Sequence, residues 1–467
     1  MQGQRTRAQG HAGAGARGDW GTRGRGNGAR RHVPAQTHTT VIAGRQSLAP
    51  ETLTWHPGTL SDDGLTEEPQ LDLNGIVVPI RRLSTAQVAA WRQLAGEALA
   101  PNPGFEPQCV IPASRYLPRG GEMLLVAAEE DGRFFGCFPV VRKGSQERMS
   151  VSWPGMRRPA LSTQVRRPSY DCTPLLSRER SAEAATTLLS ALHAYREWPK
   201  AGSFGLLVLD ALDDGPVCTL LTSAAEQLGM PVHTYGSWRR PIVRRQSDPA
   251  AYGRAQSHKS HRELARKRRR LEDKLGAPLY VVDRSLDPGA LDELVELEAS
   301  GYKGTEGFAL ARQPGYAEWF KEMCSDFRSS GRFVLYSLEG GGTTVAMTAM
   351  LKGGEGYFGL LTAYDEDFSA YSPGTQLHVG AIGRFHDNTD AQWVDTCGAA
   401  GTQYLLNLYP DRRDVSTVIV AIGGTFDRAC LACYVALRRV FGRDSLLRKD
   451  PRLSKALHVA SRTLFGK

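Results

Sequence analysis

Long apolar runs are missing from this sequence of 467 residues. The longest, at 204–209 and 418–422, are the length of strands, whereas a bilayer crossing needs about 20 residues. No membrane span is expected, and the sequence reads as a soluble protein. Cysteine is sparse: eight residues, at 109, 137, 172, 218, 324, 397, 430 and 433, lie scattered through apolar segments. They show neither the dense spacing of a disulfide scaffold nor the paired knuckles of a zinc site. That absence excludes a stapled secreted domain, points to a reducing, cytoplasmic setting and offers no metal ligand set. Cys430 and Cys433 stand three apart on an apolar helical face with no second pair nearby, so small buried hydrophobes are the expected role. A signal peptide is also lacking, because no apolar segment follows the basic start.

What is abundant is positive charge: 58 Lys and Arg against 49 Asp and Glu, a net +9 and an isoelectric point near 9.2. Such a balance invites a polyanionic partner, but the charge is concentrated. Residues 1–46 hold eight Arg and one Asp, and residues 257–270 hold seven Lys or Arg and one Glu. Removing these +7 and +6 segments leaves −4 for everything else. The first segment also has 10 of the 50 glycines, and its only Leu, Ile, Val or Phe residues are Val33, Val41 and Ile42. It buries too little apolar surface to offset ordering entropy, so a disordered Arg/Gly tail is expected at 1–46. A disordered extension, such as an over-long start assignment would leave, accounts for it more simply than RNA binding, since it has no Arg-Gly-Gly repeat and only Trp20 as an interleaved aromatic.

With 41% hydrophobic residues the remainder has material for large cores, and its pattern is mixed α/β, run twice. In the first pass a strand at 75–82 is followed by Ser84 and Gln87, a capping box in front of a helix. Apolar runs at 123–128 and 134–141 meet at Asp131-Gly132, a hairpin signal. A strand near 150–153, a helix over 181–197, a strand at 204–209, a helix over 216–229 and a strand at 231–235 complete that half. The second pass opens on the basic segment, where Ser260 and Glu263 form a capping box, Leu264, Leu271 and Leu275 mark one face, and Gly276 with Pro278 closes the helix. A strand at 279–282 follows, then a helix capped by Asp287 with Pro288 at its first position and Gly301 at its end. Tyr316, Trp319, Phe320, Met323, Cys324 and Phe327 keep a strict helical spacing. Strands at 333–338, 344–351 and 357–364, separated by glycine turns, predict an antiparallel meander. A ten-residue loop, a helix over 374–385, a strand at 392–397, a short helix at 404–409 and a strand at 415–422 follow. The resulting domains are 71–248, a basic linker helix at 257–276, 277–424, and a helical extension at 425–467.

The loop between the meander and the next helix carries the chemistry. Tyr371, Ser372, Pro373, Gly374 and Thr375 open that helix, and backbone N–H groups at a helix start beside a glycine form an anion site suited to a pyrophosphate. Ser-Pro-Gly before a helix is also an ordinary cap, so the order of the surrounding elements decides between the two.

In that order the sequence resembles the GNAT acyltransferase superfamily, in particular its FemAB-like branch with the CelD-type acetyltransferases of cellulose biosynthesis. The resembling stretches are 257–271 (SHKSHRELARKRRRL), 297–310 (LEASGYKGTEGFAL), 363–377 (AYDEDFSAYSPGTQL) and Asp395-Thr396-Cys397. The resemblance implies tandem GNAT-like domains, each a mostly antiparallel sheet flanked by helices. It implies acyl-CoA, acetyl-CoA first, lying in a V-shaped opening between the strands at 357–364 and 392–397, its pyrophosphate on the amides of 372–375. An amine would attack the thioester directly, with no metal. Tyr409 resembles the tyrosine that many GNAT enzymes use as the acid for the thiolate, a packed helix residue being its other reading. Lys303 and Glu306 fall in the acceptor-side loop, and Asp395 either orients the amine or pairs with a neighbouring cation. The chain departs from the pattern at Tyr302, where tryptophan is usual, after Cys397, where a histidine is usual, and at Tyr409, often tryptophan. The first half has no Ser-Pro-Gly loop, and its Arg- and Pro-rich 156–173 stretch stands in that place, so only the second half is expected to bind a donor.

The expected function is acyl-CoA-dependent N-acylation of a primary amine of a small molecule, amino sugar or envelope or polysaccharide precursor. Two other readings are an aminoacyl-tRNA-dependent peptidyl transfer of the FemAB type and nucleic-acid binding through the tail and basic helix. The helix's apolar stripe and the missing paired helical arm count against the tRNA reading. The acyl chain, the acceptor and the oligomeric state are left open by the sequence.

Overall fold

The computed structural model describes residues 74–117, 122–143, 160–163, 171–196, 204–247, 258–398 and 403–441. The chain divides into two units, Met1–Thr66 and Glu67–Lys467, and the described residues all belong to the second. The expected tail at 1–46, the strand near 150–153 and the end of the extension at 442–467 lie outside the described residues.

Alternating apolar runs produce thirteen strands: β1 Gly75–Pro79, β2 Met123–Glu130, β3 Arg133–Lys143, β4 Ala160–Ser162, β5 Leu175–Leu176, β6 Leu206–Asp213, β7 Val232–Arg244, β8 Tyr280–Asp283, β9 Phe333–Gly340, β10 Thr343–Gly353, β11 Gly356–Tyr364, β12 Trp393–Asp395 and β13 Asp411–Ala421. They form one sheet in the order β1-β2-β3-β4-β6-β13-β7-β12-β11-β10-β9-β8, with β5 beside β3. From either end the pattern is the same. Three antiparallel pairings lead to a parallel pair, β4 with β6 in one half and β11 with β12 in the other. A strand from the opposite half comes next: β13 pairs β6, β7 pairs β12, and β7 pairs β13 at the centre. The doubled α/β pattern is therefore a single mixed sheet in which the halves exchange their last strands.

Local chemistry produces most of these elements. Asp131 and Gly132 both take positive φ, as a two-residue hairpin turn requires. Ser84 and Gln87 cap each other's backbone across the start of Thr85–Glu97. The predicted meander is present as β9, β10 and β11. Several boundaries differ from the sequence reading, and one helix is new. The basic helix begins at His258, so Ser260 lies inside it. The helix after Asp287 is Ala290–Ser300, and Asp287 instead holds the Gly289 N–H in an Asx turn. Strand β7 continues past Gly236 and Pro241, because β13 and β12 supply partners beyond both breakers. The helix Pro107–Tyr116 was not anticipated, since Pro112 inside it argues against helix, and burial of Cys109, Val110 and Ala113 against the core overrides that propensity.

Helices cover both faces. One continuous core runs through the two halves on one face, from Val77 to Ile422, and includes Leu294 and Val295 of Ala290–Ser300 and Trp319, Phe320 and Met323 of Tyr316–Ser329. On the opposite face the basic helix His258–Leu275 and the helix Pro373–Asn388 cover the second half, and Thr425–Phe441 covers the first. Six cysteines are buried, but Cys430 is only partly covered and Cys433 is exposed, contrary to the expected buried role. That helix buries Leu431 and Tyr434 instead.

Candidate active site

The parallel pair of β11 and β12 lasts three residues, Gly356 with Trp393, Tyr357 with Val394 and Phe358 with Asp395. Strand β11 then runs on alone to Tyr364 on that side. A bulge opposite Ala349 and Met350 inserts Leu360 into β11 just past the last pair, the kind of irregularity that ends pairing and re-aims a strand. The Asp365 N–H bonds the Val345 carbonyl on β10. By alternation, the peptide groups of Thr362 and Tyr364 face the side that β12 has left. This edge lies where the sequence resemblance implies a V-shaped opening.

The helix Pro373–Asn388 starts directly above the far end of that edge. A Cβ on Gly374 would sit 3.5 Å from the Tyr364 ring and 3.9 Å from the Thr362 methyl. Ser372 at the N-cap takes the left-handed conformation, φ 56° and ψ 54°, and its side chain caps nothing, so the sequence's ordinary-cap reading fails for the hydroxyl. Instead Ser372 Oγ accepts a hydrogen bond from Lys267 Nζ at 2.8 Å. Pro373 has no N–H, and the Gln376 N–H is used by the Ser372 carbonyl, which leaves Gly374 and Thr375 as first-turn donors without an intrahelical acceptor. Tyr371 gives its carbonyl to Gln376 Nε2. Lys274 donates to the Asp367 carbonyl and lies over the rings of Phe368 and Tyr371. The basic helix thus straps down the 366–371 turn and delivers the ammonium of Lys267, which ion-pairs no described carboxylate, to the start of the helix. The two positive features reinforce each other electrostatically.

Beneath them a chain of polar side chains crosses the sheet. Thr348 Oγ1 on β10 lies 2.9 Å from Thr362 Oγ1 on β11, which lies 3.3 Å from His378 Nε2. His378 Nδ1 is 2.9 Å from the Tyr409 hydroxyl. Burial pushes the His378 ring down to about 4, so it is neutral at pH 7, with one ring nitrogen donating and the other accepting. Tyr409, expected as an acid or as a packed residue, is buried and hydrogen-bonded in this chain. His378 was missed by the sequence reading; its signal was its place five residues after Pro373, on the helix face that also carries Leu377, Ala381 and Ile382 inward.

The remaining sequence-predicted residues separate. Lys303, on the single turn Tyr302–Thr305, donates to Glu298 Oε1 at 3.1 Å and to the Thr362 carbonyl at 3.3 Å on the vacated edge. Glu306 is exposed and makes no side-chain bond among the described residues. Asp395 is wholly buried. Its Oδ1 accepts the Cys397 N–H, and its Oδ2 faces Arg240 at 3.4 Å and Arg413 at 3.0 Å, the cation pairing that was the second reading of this residue. Asp171 and Asp213 complete that cluster through Arg240 at 3.1 Å and Arg413 at 3.6 Å. Burial acts against the charge on Arg240, and Asp395 and Asp171 outweigh it, so its pKa is raised. Burial lifts Asp213 to about 6.

The corresponding edge in the first half is filled. Thr163 N–H bonds the Val208 carbonyl, Cys172 N–H bonds the Ala211 carbonyl, and Asp213 N–H bonds Thr173 Oγ1, so β6 is lined by its own chain. Among the described residues no group of three or more His, Cys, Asp or Glu converges on a metal position, and no helix is long and apolar enough to cross a membrane.

Comparison with known proteins agrees with this geometry. Residues 258–404 match the family described as an acetyltransferase (GNAT) domain. No curated protein matches the sequence. Among solved structures the chain is similar to FemX, with 10% identity and a TM-score of 0.46 over 76% of this chain and 98% of that one. It is also similar to a tandem GNAT protein from the clavulanic acid biosynthesis pathway, with 14% identity and a TM-score of 0.43 over 75% and 99%. A third is L-PGS from Bacillus licheniformis, with 11% identity and a TM-score of 0.42 over 77% and 98%. None of the three reaches a TM-score of 0.5, too distant to carry an argument about this chain. The matched stretch spans the basic helix, the meander, the split parallel pair and the start of Pro373–Asn388, and the second half of the chain is accordingly similar to an acetyltransferase (GNAT) domain.

Proposed function

We propose that the protein transfers an acyl group, acetyl first, from coenzyme A to a primary amine of a small molecule, amino sugar or envelope or polysaccharide precursor. The observation that carries this is the unpaired edge of β11 ending beneath a helix start that already holds a lysine. GNAT domains use acyl-CoA, and the residues present fit such a donor. The first-turn N–H groups of Gly374 and Thr375, with Lys267 and the Ser372 hydroxyl, suit its phosphates. The edge from Leu360 to Tyr364, about 13 Å at 3.3 Å per residue, suits an extended arm with amide groups. When bound, the donor supplies an activated thioester, and the chain's own groups do the rest. Tyr409, tied to His378, holds the proton that the departing thiolate needs. Glu306 on the acceptor loop is free to take the proton of the incoming ammonium, and Lys303 supplies a cation beside the vacated edge. Asp395 acts as a positioning residue that keeps the end of β12 in place. Donor binding belongs to the second half, because the β6 edge is already lined.

A thermal-shift series with CoA, acetyl-CoA and longer acyl-CoAs tests the reading, since a ligand that binds only the native state raises its melting point. A rise with CoA species is expected; no rise with any of them sinks the proposal. Replacing the proton donor, Tyr409→Phe, is expected to lower kcat by roughly ten- to a thousandfold while leaving the CoA-induced shift in place.

A further inference from the structure

Glu298 occupies a position that the sequence pattern reserves for an apolar residue. It follows Leu291, Leu294 and Val295 on the inward face of Ala290–Ser300 and is 5% exposed. A carboxylate is retained in such a place only when both its oxygens are satisfied. Here Oε1 receives Lys303 Nζ at 3.1 Å and Oε2 receives the Leu310 N–H at 2.8 Å. The acceptor-side loop from 301 to 310 is therefore folded around this one carboxylate, and the result is that the Lys303 ammonium reaches the Thr362 carbonyl at 3.3 Å. That carbonyl belongs to the edge of β11 that β12 has left, where an unpaired acceptor would otherwise be exposed. Thr362 is also the residue whose hydroxyl leads to His378, so Lys303 touches the edge at the point where the polar chain to Tyr409 begins.

We infer that Lys303 is a displaceable cover on the donor-binding edge and that Glu298 is the positioning residue that holds it there. This rests on the donor reading given above. An extended ligand that adds to a strand edge pairs its N–H groups with the strand's carbonyls, and at Thr362 it meets an ammonium already in place. Ligand N–H and Lys303 compete for the same oxygen. On displacement Lys303 loses one partner but keeps Glu298, so the cation stays beside the bound donor, where it stabilises negative charge developing on the thioester oxygen. Lys303 is thus expected to oppose donor binding and to favour transfer. A residue with a purely structural role would not separate the two.

The test measures the affinity of CoA itself, which undergoes no transfer, by calorimetry on the full chain. Wild type is compared with Lys303→Met, Glu298→Gln and the double variant, with acetyl transfer followed in parallel. The double variant keeps an oxygen for the Leu310 N–H and leaves no unpaired buried charge, so it reports even if Lys303→Met folds poorly. The double variant is expected to bind CoA about three- to tenfold more tightly than wild type and to turn over at least tenfold more slowly, with Glu298→Gln intermediate in both. Unchanged or weaker CoA binding in the double variant, with wild type binding normally, overturns the cover while leaving the donor reading intact. Failure of every form to bind CoA overturns both.

Discussion

His378 shows how a single side chain joins stability to the site. Its ring is held near 4 by burial, against an unfolded value near 6.5. The neutral form is favoured on folding, so the contribution is fully present above about pH 6.5 and is lost as pH falls towards 4. The difference of about 2.5 units corresponds to about 3 kcal/mol. Denaturant unfolding of His378→Gln at pH 7 and pH 4.5 is expected to show a smaller acid loss than wild type. An equal loss would mean that the ring is charged in the folded state. Asp213 acts in the opposite sense: raised to about 6, it favours the folded state below its unfolded value and loses that contribution as pH rises through 6. Part of the acid sensitivity set by His378 is therefore offset within the same pH window. Neither effect was legible in sequence, where His378 and Asp213 are a helix residue and a strand-end residue with no marked neighbours.

At the scale of elements, the informative cases are those where a local signal met a tertiary constraint. The helix Tyr316–Ser329 was plain from its apolar spacing, and its burial of Trp319, Phe320, Met323, Cys324 and Phe327 follows that spacing. Where it starts was decided elsewhere. Gly315 has φ 75°, and a Cβ there would lie 2.0 Å from the Tyr116 carbonyl, because the end of Pro107–Tyr116 from the first half crosses at that point. The Trp319 Nε1 donates to the Cys109 carbonyl at 3.0 Å, and Arg332 forks onto Glu106 at 2.5 and 2.7 Å. Gly315→Ala is expected to cost more than about 2 kcal/mol in denaturant unfolding, from a strained φ and a backbone clash together. A change under about 0.5 kcal/mol would show that the two helices part without penalty. The basic helix is the other instructive element. Of its leucine stripe, Leu271 is fully buried and Leu275 packs against the same core, while Leu264 is only half-buried. That Lys267 reaches Ser372 across 105 residues of sequence is set by how the helix lies on the 366–371 turn, which periodicity does not report.

At the scale of the whole molecule, the exchange of β7 and β13 governs behaviour. Each half lacks the strand that completes it, since β6 takes its outer partner from residues 411–421 and β12 takes its own from residues 232–244. Five charged groups, Asp171, Asp213, Arg240, Asp395 and Arg413, meet at that exchange, where the Arg240–Asp395 and Arg413–Asp213 pairs join the halves and removing either half breaks both. Residues 74–247 and 258–441 expressed separately are expected to show no cooperative unfolding transition, and co-expression is expected to recover one. Two sharp independent transitions would show that each half closes its own sheet.

The sequence by itself determined the mixed α/β class, the doubled pattern, the meander and the helix start at 372–375, because capping, turn chemistry and apolar periodicity act over a few residues and leave their mark locally. The partition of charge was equally local: a basic helix and a basic tail stand apart from a slightly acidic remainder. Only the tertiary structure decided that β11 outruns β12, that Lys267 and Lys303 are brought to the same vacated edge, and that Asp395 is enclosed by two arginines from exchanged strands. These depend on contacts between residues 18 to 155 positions apart, and such pairings are fixed by the closure of one sheet and one shared core, which no local pattern encodes.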